Sequence, residues 1–166
     1  VNDSVKVNLE NINCIFSDLN DNLWIGTNEE IIKIDSDLKI LPLKFLNNAN
    51  VRLSIYDFTQ TSDNNIWAAS SCGIIKINST TNKIEIFADD IKFPNVTTSG
   101  ILEGKSNELW VSSNLGLLKF DTKTEAFTLF DHQEGVEDFI KIPAINYKTI
   151  NGELFFCGKS GINYFF

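Results

Sequence analysis

The side chains able to do acid–base or ligand chemistry are few and scattered. The single histidine, His132, stands in Phe130-Asp131-His132-Gln133-Glu134. General acid–base catalysis needs a positioned partner for such a group, and metal binding needs further ligands. Neither stands at a recognisable spacing, so His132 reads as a loop residue. Asp18-Leu19-Asn20-Asp21-Asn22 resembles a calcium loop only in its acid and amide content. It lacks the glycine and the distal glutamate of the twelve-residue version, and turn chemistry explains it. The cysteines Cys14, Cys72 and Cys157 are odd in number and far apart, with no C-x-x-C spacing. That spacing fits neither a zinc module nor a disulfide framework, and free, small, buried thiols are expected. No phosphate-binding glycine loop and no nucleophile elbow is present. No catalytic residue, metal site or cofactor is therefore expected.

Charge narrows the partners. Lys+Arg number 14 against 22 Asp+Glu, a net charge of -8 with no basic cluster, which argues against nucleic acid. No apolar run reaches the ~18–20 residues of a membrane helix, so no membrane contact is expected within this segment. The opening VNDSVKVNLE has neither a basic region nor an apolar stretch of the signal-peptide kind. Thirteen Phe and three Trp against no Met point to a core of rigid rings.

The elements that must position any site come from a repeat. Trp24, Trp67 and Trp110 are spaced by 43 residues, in DNLWIGT, NNIWAAS and NELWVSS. Seven residues past each begins an apolar-apolar-Lys-apolar stretch, which carries Lys33, Lys76 and Lys119. A fourth, weaker copy, GELFFCGKSGINYF, puts Phe155 at the Trp position, and Gly161 aligns with Gly73 and Gly116. The first copy has Glu30 where those glycines stand.

Each unit reads as four short strands split by polar turns, with inner strands predicted at Ile12–Phe16, Ser54–Phe58 and Thr98–Leu102. Asn151-Gly152 is a hairpin signal because both residues tolerate positive φ. Four antiparallel strands in about 43 residues make one β-propeller blade. Runs such as Leu23-Trp24-Ile25 are apolar on both faces, as a sheet between two other sheets requires. The fold class is thus all-β, a propeller of about four four-stranded blades over 1–166. The repeats run over about 11–46, 52–90, 96–131 and 142–166. Residues 5–9 would be an outer strand of a preceding or a closing blade. The lysines are expected to lay their stems on apolar surface and keep their ammonium groups in water.

These motifs resemble the two-component regulator propeller repeat. Leu23–Asp35 carries its L-W-I-G-T and apolar-apolar-Lys-apolar-Asp phrases, apart from Glu30. Gly152–Phe165 resembles the family's final blade, with Cys157 where a glycine is usual. The resemblance implies a larger ring, of about seven blades, in the periplasmic part of a hybrid two-component sensor of Bacteroidetes, many of which respond to oligosaccharides. On that reading the chain is an arc of the ring. Its partners would be an oligosaccharide and the rest of the sensor ectodomain or a second copy.

Propellers bind where inter-blade loops converge. The loops contain Arg52, Lys92, Phe93, Asn95, His132 and Glu137, the mixture of polar groups and rings that a sugar site uses. The expectation is a sensing module and not an enzyme. The alternative is a protein-interaction scaffold with no small-molecule ligand.

Overall fold

The computed structural model describes residues 11–43, 53–88, 94–105, 107–136, 145–159 and 161–166. The first blade comprises β1 (Ile12–Ser17), β2 (Leu23–Thr27), β3 (Ile31–Ile34) and β4 (Ile40–Leu43). The second has β5 (Ile55–Gln60), β6 (Asn65–Ser70), β7 (Ile74–Asn78) and β8 (Ile84–Phe87). The third has β9 (Thr98–Glu103), β10 (Glu108–Ser113), β11 (Gly116–Asp121) and β12 (Phe127–Phe130). A 3-10 turn at His132–Glu134 leads to the fourth, with β13 (Asn146–Lys148), β14 (Leu154–Cys157) and β15 (Ile162–Phe165). Every sheet is an antiparallel meander in chain order. The predicted strands are recovered to within one or two residues at their ends. The fourth sheet has three strands among the described residues. Residues 5–9 lie outside the described residues.

The repeat is visible in the register. Trp24 pairs with Lys33, Trp67 with Lys76, Trp110 with Lys119 and Phe155 with Tyr164. Each ring therefore points from its own blade toward the next. Trp24 packs on Phe58, Ile66 and Ile77 of the second blade. Trp67 packs on Ile101, Leu109 and Phe120 of the third. Trp110 packs with Leu154, Phe156 and Phe165 of the fourth. The two faces of a central blade are thus both covered, which removes the alternation that a half-wet sheet would show.

Burial of the repeated ring is not uniform. Trp24 and Trp67 are buried, at 0% and 1% exposure, whereas Trp110 and Phe155 are half-buried and not buried as the repeat suggests. The sheet facing Trp110 has three strands among the described residues, so it covers less of the indole. Phe155 stacks on Tyr164, with centroids 5.8 Å apart, on the outward face of the last described blade.

Turns repeat too. The first hairpin of each blade has one left-handed residue at the same position: Asp21, Asn64, Asn107 and Gly152. In the fourth blade only Gly152 is left-handed, and Thr149 N–H to Glu153 O closes a turn longer than the two-residue hairpin that Asn-Gly suggests. In the middle hairpin Gly73 and Gly116 have φ of 67° and 137°. A Cβ there would lie 2.0 Å from Phe87 O and 2.3 Å from Phe130 O, so only glycine fits against the outer strand. Glu30 stands where φ is not positive, which is why the first copy dispenses with glycine.

Candidate functional site at the propeller axis and its loop face

In an antiparallel meander the last strand ends where the first begins. The inter-blade connections and the middle hairpins therefore share one face of the arc. Middle hairpins are closed by a hydroxyl at a common repeat position. Thr27 Oγ1 donates to Glu30 O, Ser70 Oγ to Gly73 O and Ser113 Oγ to Gly116 O, at 2.9–3.0 Å. This explains the Gly-Thr, Ala-Ser and Ser-Ser variants of the motif. The second residue must carry a hydroxyl to serve the turn, and the first is small in all three.

Of the six loop residues predicted to meet a ligand, Asn95 and His132 are described. Arg52, Lys92, Phe93 and Glu137 lie outside the described residues. Asn95 is exposed, and its Oδ1 accepts from Cys72 Sγ at 3.1 Å. His132 is exposed at the start of the 3-10 turn. That turn is capped by Asp131, whose side chain accepts from Gln133 N, and is ended by left-handed Gly135. Asn95 and His132 belong to successive connections on the loop face.

A second cluster was not read from the sequence. The first strands of the blades, β1, β5, β9 and β13, lie side by side at the axis. Three of them carry a bulge at one repeat position, occupied by Asn13, Tyr56 and Ser99. A bulge re-aims the residues that follow it. Directly after Tyr56, Asp57 Oδ2 accepts from Ile101 N of the third blade at 2.9 Å and from Asn146 Nδ2 of the fourth at 3.0 Å. The Asn146 amide also reaches Ile101 O at 3.5 Å. Burial pushes the Asp57 carboxyl up to about 6, against the lowering effect of the hydrogen bonds from Ile101, Asn146 and Phe58. At the equivalent position of the first blade, Cys14 Sγ donates to Ile55 O at 3.8 Å. Burial, with the nearby Asp57 charge, pushes its thiol up to about 12, so it is no nucleophile at neutral pH. An acid within Ile55-Tyr56-Asp57-Phe58, a strand covered on both faces, was the signal available in the sequence.

The remaining candidates resolve as structure. Asp18 accepts from Asn20 N, Asn22 N, Asn22 Nδ2 and Trp24 Nε1, so its carboxylate is used by the turn and the ring. None of the three cysteines forms a disulfide, and all are half-buried where the sequence suggests full burial. The lysines differ from expectation, because their ammonium groups sit over the paired indoles, 5.1–5.6 Å from the ring centroids. Lys33 Nζ also donates to Ser79 O of the next blade at 2.9 Å, which desolvates part of the charge. A polar cleft of about 210 Å³ at the opposite end of the second blade is lined by Asn65, Lys76, Asn78, Lys83 and Glu85. It is smaller than the ~300–1,000 Å³ usual for ligand pockets.

The arrangement is that of a β-propeller arc, and comparison with solved structures agrees. The chain superposes on the extracellular domain of BT3049 from B. thetaiotaomicron, described as a hybrid two-component system. The TM-score is 0.78 at 23% identity, over 93% of this chain and 21% of that one. It superposes on the extracellular domain of BT4673 from the same organism with a TM-score of 0.71 at 12% identity, over 92% and 21%. It also superposes on virginiamycin B lyase from Staphylococcus aureus, with a TM-score of 0.66 at 19% identity, over 93% and 55%. The chain thus spans about a fifth of the two extracellular domains and about half of the lyase. No family model matches the chain, and no curated protein matches it in sequence.

Proposed function

We propose that this arc belongs to the extracytoplasmic ligand-sensing propeller of a signalling protein, located in the periplasm, and that its ligand is a glycan-derived oligosaccharide. The observation that carries the reading is the likeness to the BT3049 extracellular domain over nearly the whole chain. Fold alone does not separate sensing from catalysis, as the lyase illustrates. The reading as a non-enzyme rests on His132, which stands exposed on a capped surface turn. In this proposal Arg52, Lys92, Phe93, Asn95, His132 and Glu137 contact the sugar from the loop face. Charged and amide groups would take its hydroxyls, and the Phe93 ring would take an apolar sugar face.

The protein-interaction reading is favoured by one feature. On the outward face of the fourth blade Tyr147 and Tyr164 are 65% and 67% exposed, with Ile145, Ile162 and Phe166 beside them. Such a patch marks a surface that a partner covers, either more of the ectodomain or a second copy.

Calorimetric titration of the protein with an oligosaccharide panel separates the two. Binding of at least one sugar, weakened tenfold or more by Arg52→Ala or Glu137→Gln, supports sensing at the loop face. Absence of binding to every sugar at millimolar concentration would overturn the oligosaccharide reading and favour the scaffold.

A further inference from the structure

Asp57 joins three blades through one oxygen. Its Oδ2 lies 2.9 Å from the Ile101 N–H on β9 and 3.0 Å from the Asn146 amide on β13, while its backbone belongs to β5. Other side-chain hydrogen bonds between blades among the described residues join neighbours: Leu19 N donates to Gln60 Oε1, Ser62 N to Glu103 Oε1 and Lys33 to Ser79 O. Asp57 instead reaches from the second blade to the fourth, past the inner strand of the third. The amide it holds is further constrained, because Asn146 bridges to Ile101 O.

We propose that the Asp57 carboxylate is a proton-operated tie across the inner strands of three consecutive blades, gripping Asn146 when ionised and easing that grip when protonated. An ionised carboxylate accepts hydrogen bonds more strongly than a neutral acid does. Proton binding therefore weakens the hold on Asn146, and loss of the Asn146 donor must in return make the proton bind more tightly, since the two are linked. The titratable groups on the strands packed against β5 are Cys14 on β1 and Glu103 on β9. β13 adds Tyr147 and Lys148, whereas β2 and β6 carry none. The Cys14 thiol stays neutral through the relevant range. Glu103 and Lys148 pair with each other at 3.7 Å, at the far end of their strands. Asp57 is thus the group whose charge changes at this junction near pH 6.

The sign follows from the direction of the shift. A carboxyl whose folded value lies above its unfolded one stabilises the fold below the unfolded value, and that contribution is lost as pH rises through the folded one. Asp57 favours the folded arc below about pH 4, and the gain disappears as pH climbs through about 6.

Carbon-detected NMR titration of the Asp57 side-chain carboxyl in the wild-type protein tests the tie directly. A midpoint near 6, moved upward by half a unit or more in Asn146→Ala, is expected. Thermal melts supply a second measurement. The difference in melting temperature between wild type and Asp57→Asn should change by about 5 °C between pH 4.5 and 7.5, in favour of wild type at the acid end. A wild-type midpoint below 4.5, or one that Asn146→Ala leaves in place, would overturn the proposal.

Discussion

The indole N–H of Trp24 donates to the Asp18 carboxylate at 2.9 Å, six residues back across the first hairpin of its blade. The same repeat position is filled differently in the next two blades. Thr61 turns its hydroxyl to Asp63 and to Asn65 O, and the buried Trp67 Nε1 has no hydrogen-bond partner among the described residues. Gly104 lies against Trp110, where a Cβ would stand 2.8 Å from Cδ1 and 2.9 Å from Nε1. One packing position is thus filled in three ways, and each makes its own demand on the sequence.

Removing the Asp18 side chain leaves the Trp24 N–H buried and the hairpin N–H groups of Asn20 and Asn22 without their acceptor. Asp18→Ala should cost about 2–3 kcal/mol in urea unfolding. Burial would raise the Asp18 carboxyl, but the hydrogen bonds from Trp24, Asn22 and Asn20 outweigh it and hold it below the usual carboxylate value. Its contribution is therefore present above the unfolded value and lost as pH falls through the folded one. Wild-type stability should drop below about pH 4, and Asp18→Ala should flatten that part of the profile.

The orphaned Trp67 N–H offers a gain. Thr61-Ser62-Asp63-Asn64-Asn65 aligns with Asp18-Leu19-Asn20-Asp21-Asn22. The double substitution Thr61→Asp with Asp63→Asn transplants the acceptor and removes the carboxylate that would repel it. An increase of about 1 kcal/mol is expected, read as a melting point a few degrees higher. An unchanged or lower melting point would show that the indole cannot reach the new carboxylate.

Equivalent register does not mean equivalent energy. Trp67→Ala empties a site closed by Phe87 and Phe120, with ring centroids 5.5 and 5.7 Å away, and should cost about 3–5 kcal/mol. Phe155→Ala removes a half-buried ring from an outward face and should cost less than about 2 kcal/mol. Chemical denaturation of the two variants measures the gap. Equal losses would mean that Phe155 is as enclosed in solution as Trp67.

The blade pattern was legible because it is periodic. The 43-residue step placed Trp24, Trp67, Trp110 and Phe155 at one register position, and the turn residues Asp21, Asn64, Asn107 and Gly152 fall on one left-handed site. Local chemistry suffices for such features. Hydrophobic runs choose strands, and short polar residues choose turns. The candidate loop residues were legible only by type, because a loop has no periodicity to place its side chains. The structure describes Asn95 and His132 on one face, in successive connections.

Departures from the repeat, by contrast, were decided in three dimensions. Asp57 and Asn146 are 89 residues apart and meet because bulged inner strands crowd at the axis, a juxtaposition with no counterpart in spacing. Whether an indole N–H finds a carboxylate, nothing or a glycine depends on what the preceding hairpin places 3 Å away. The sequence by itself determined the strands, the turns and the blade, because those follow from residue type and period. Only the tertiary structure decided which rings are closed in and which buried acid ties blades together, because burial and electrostatic environment belong to the neighbours and not to the residue.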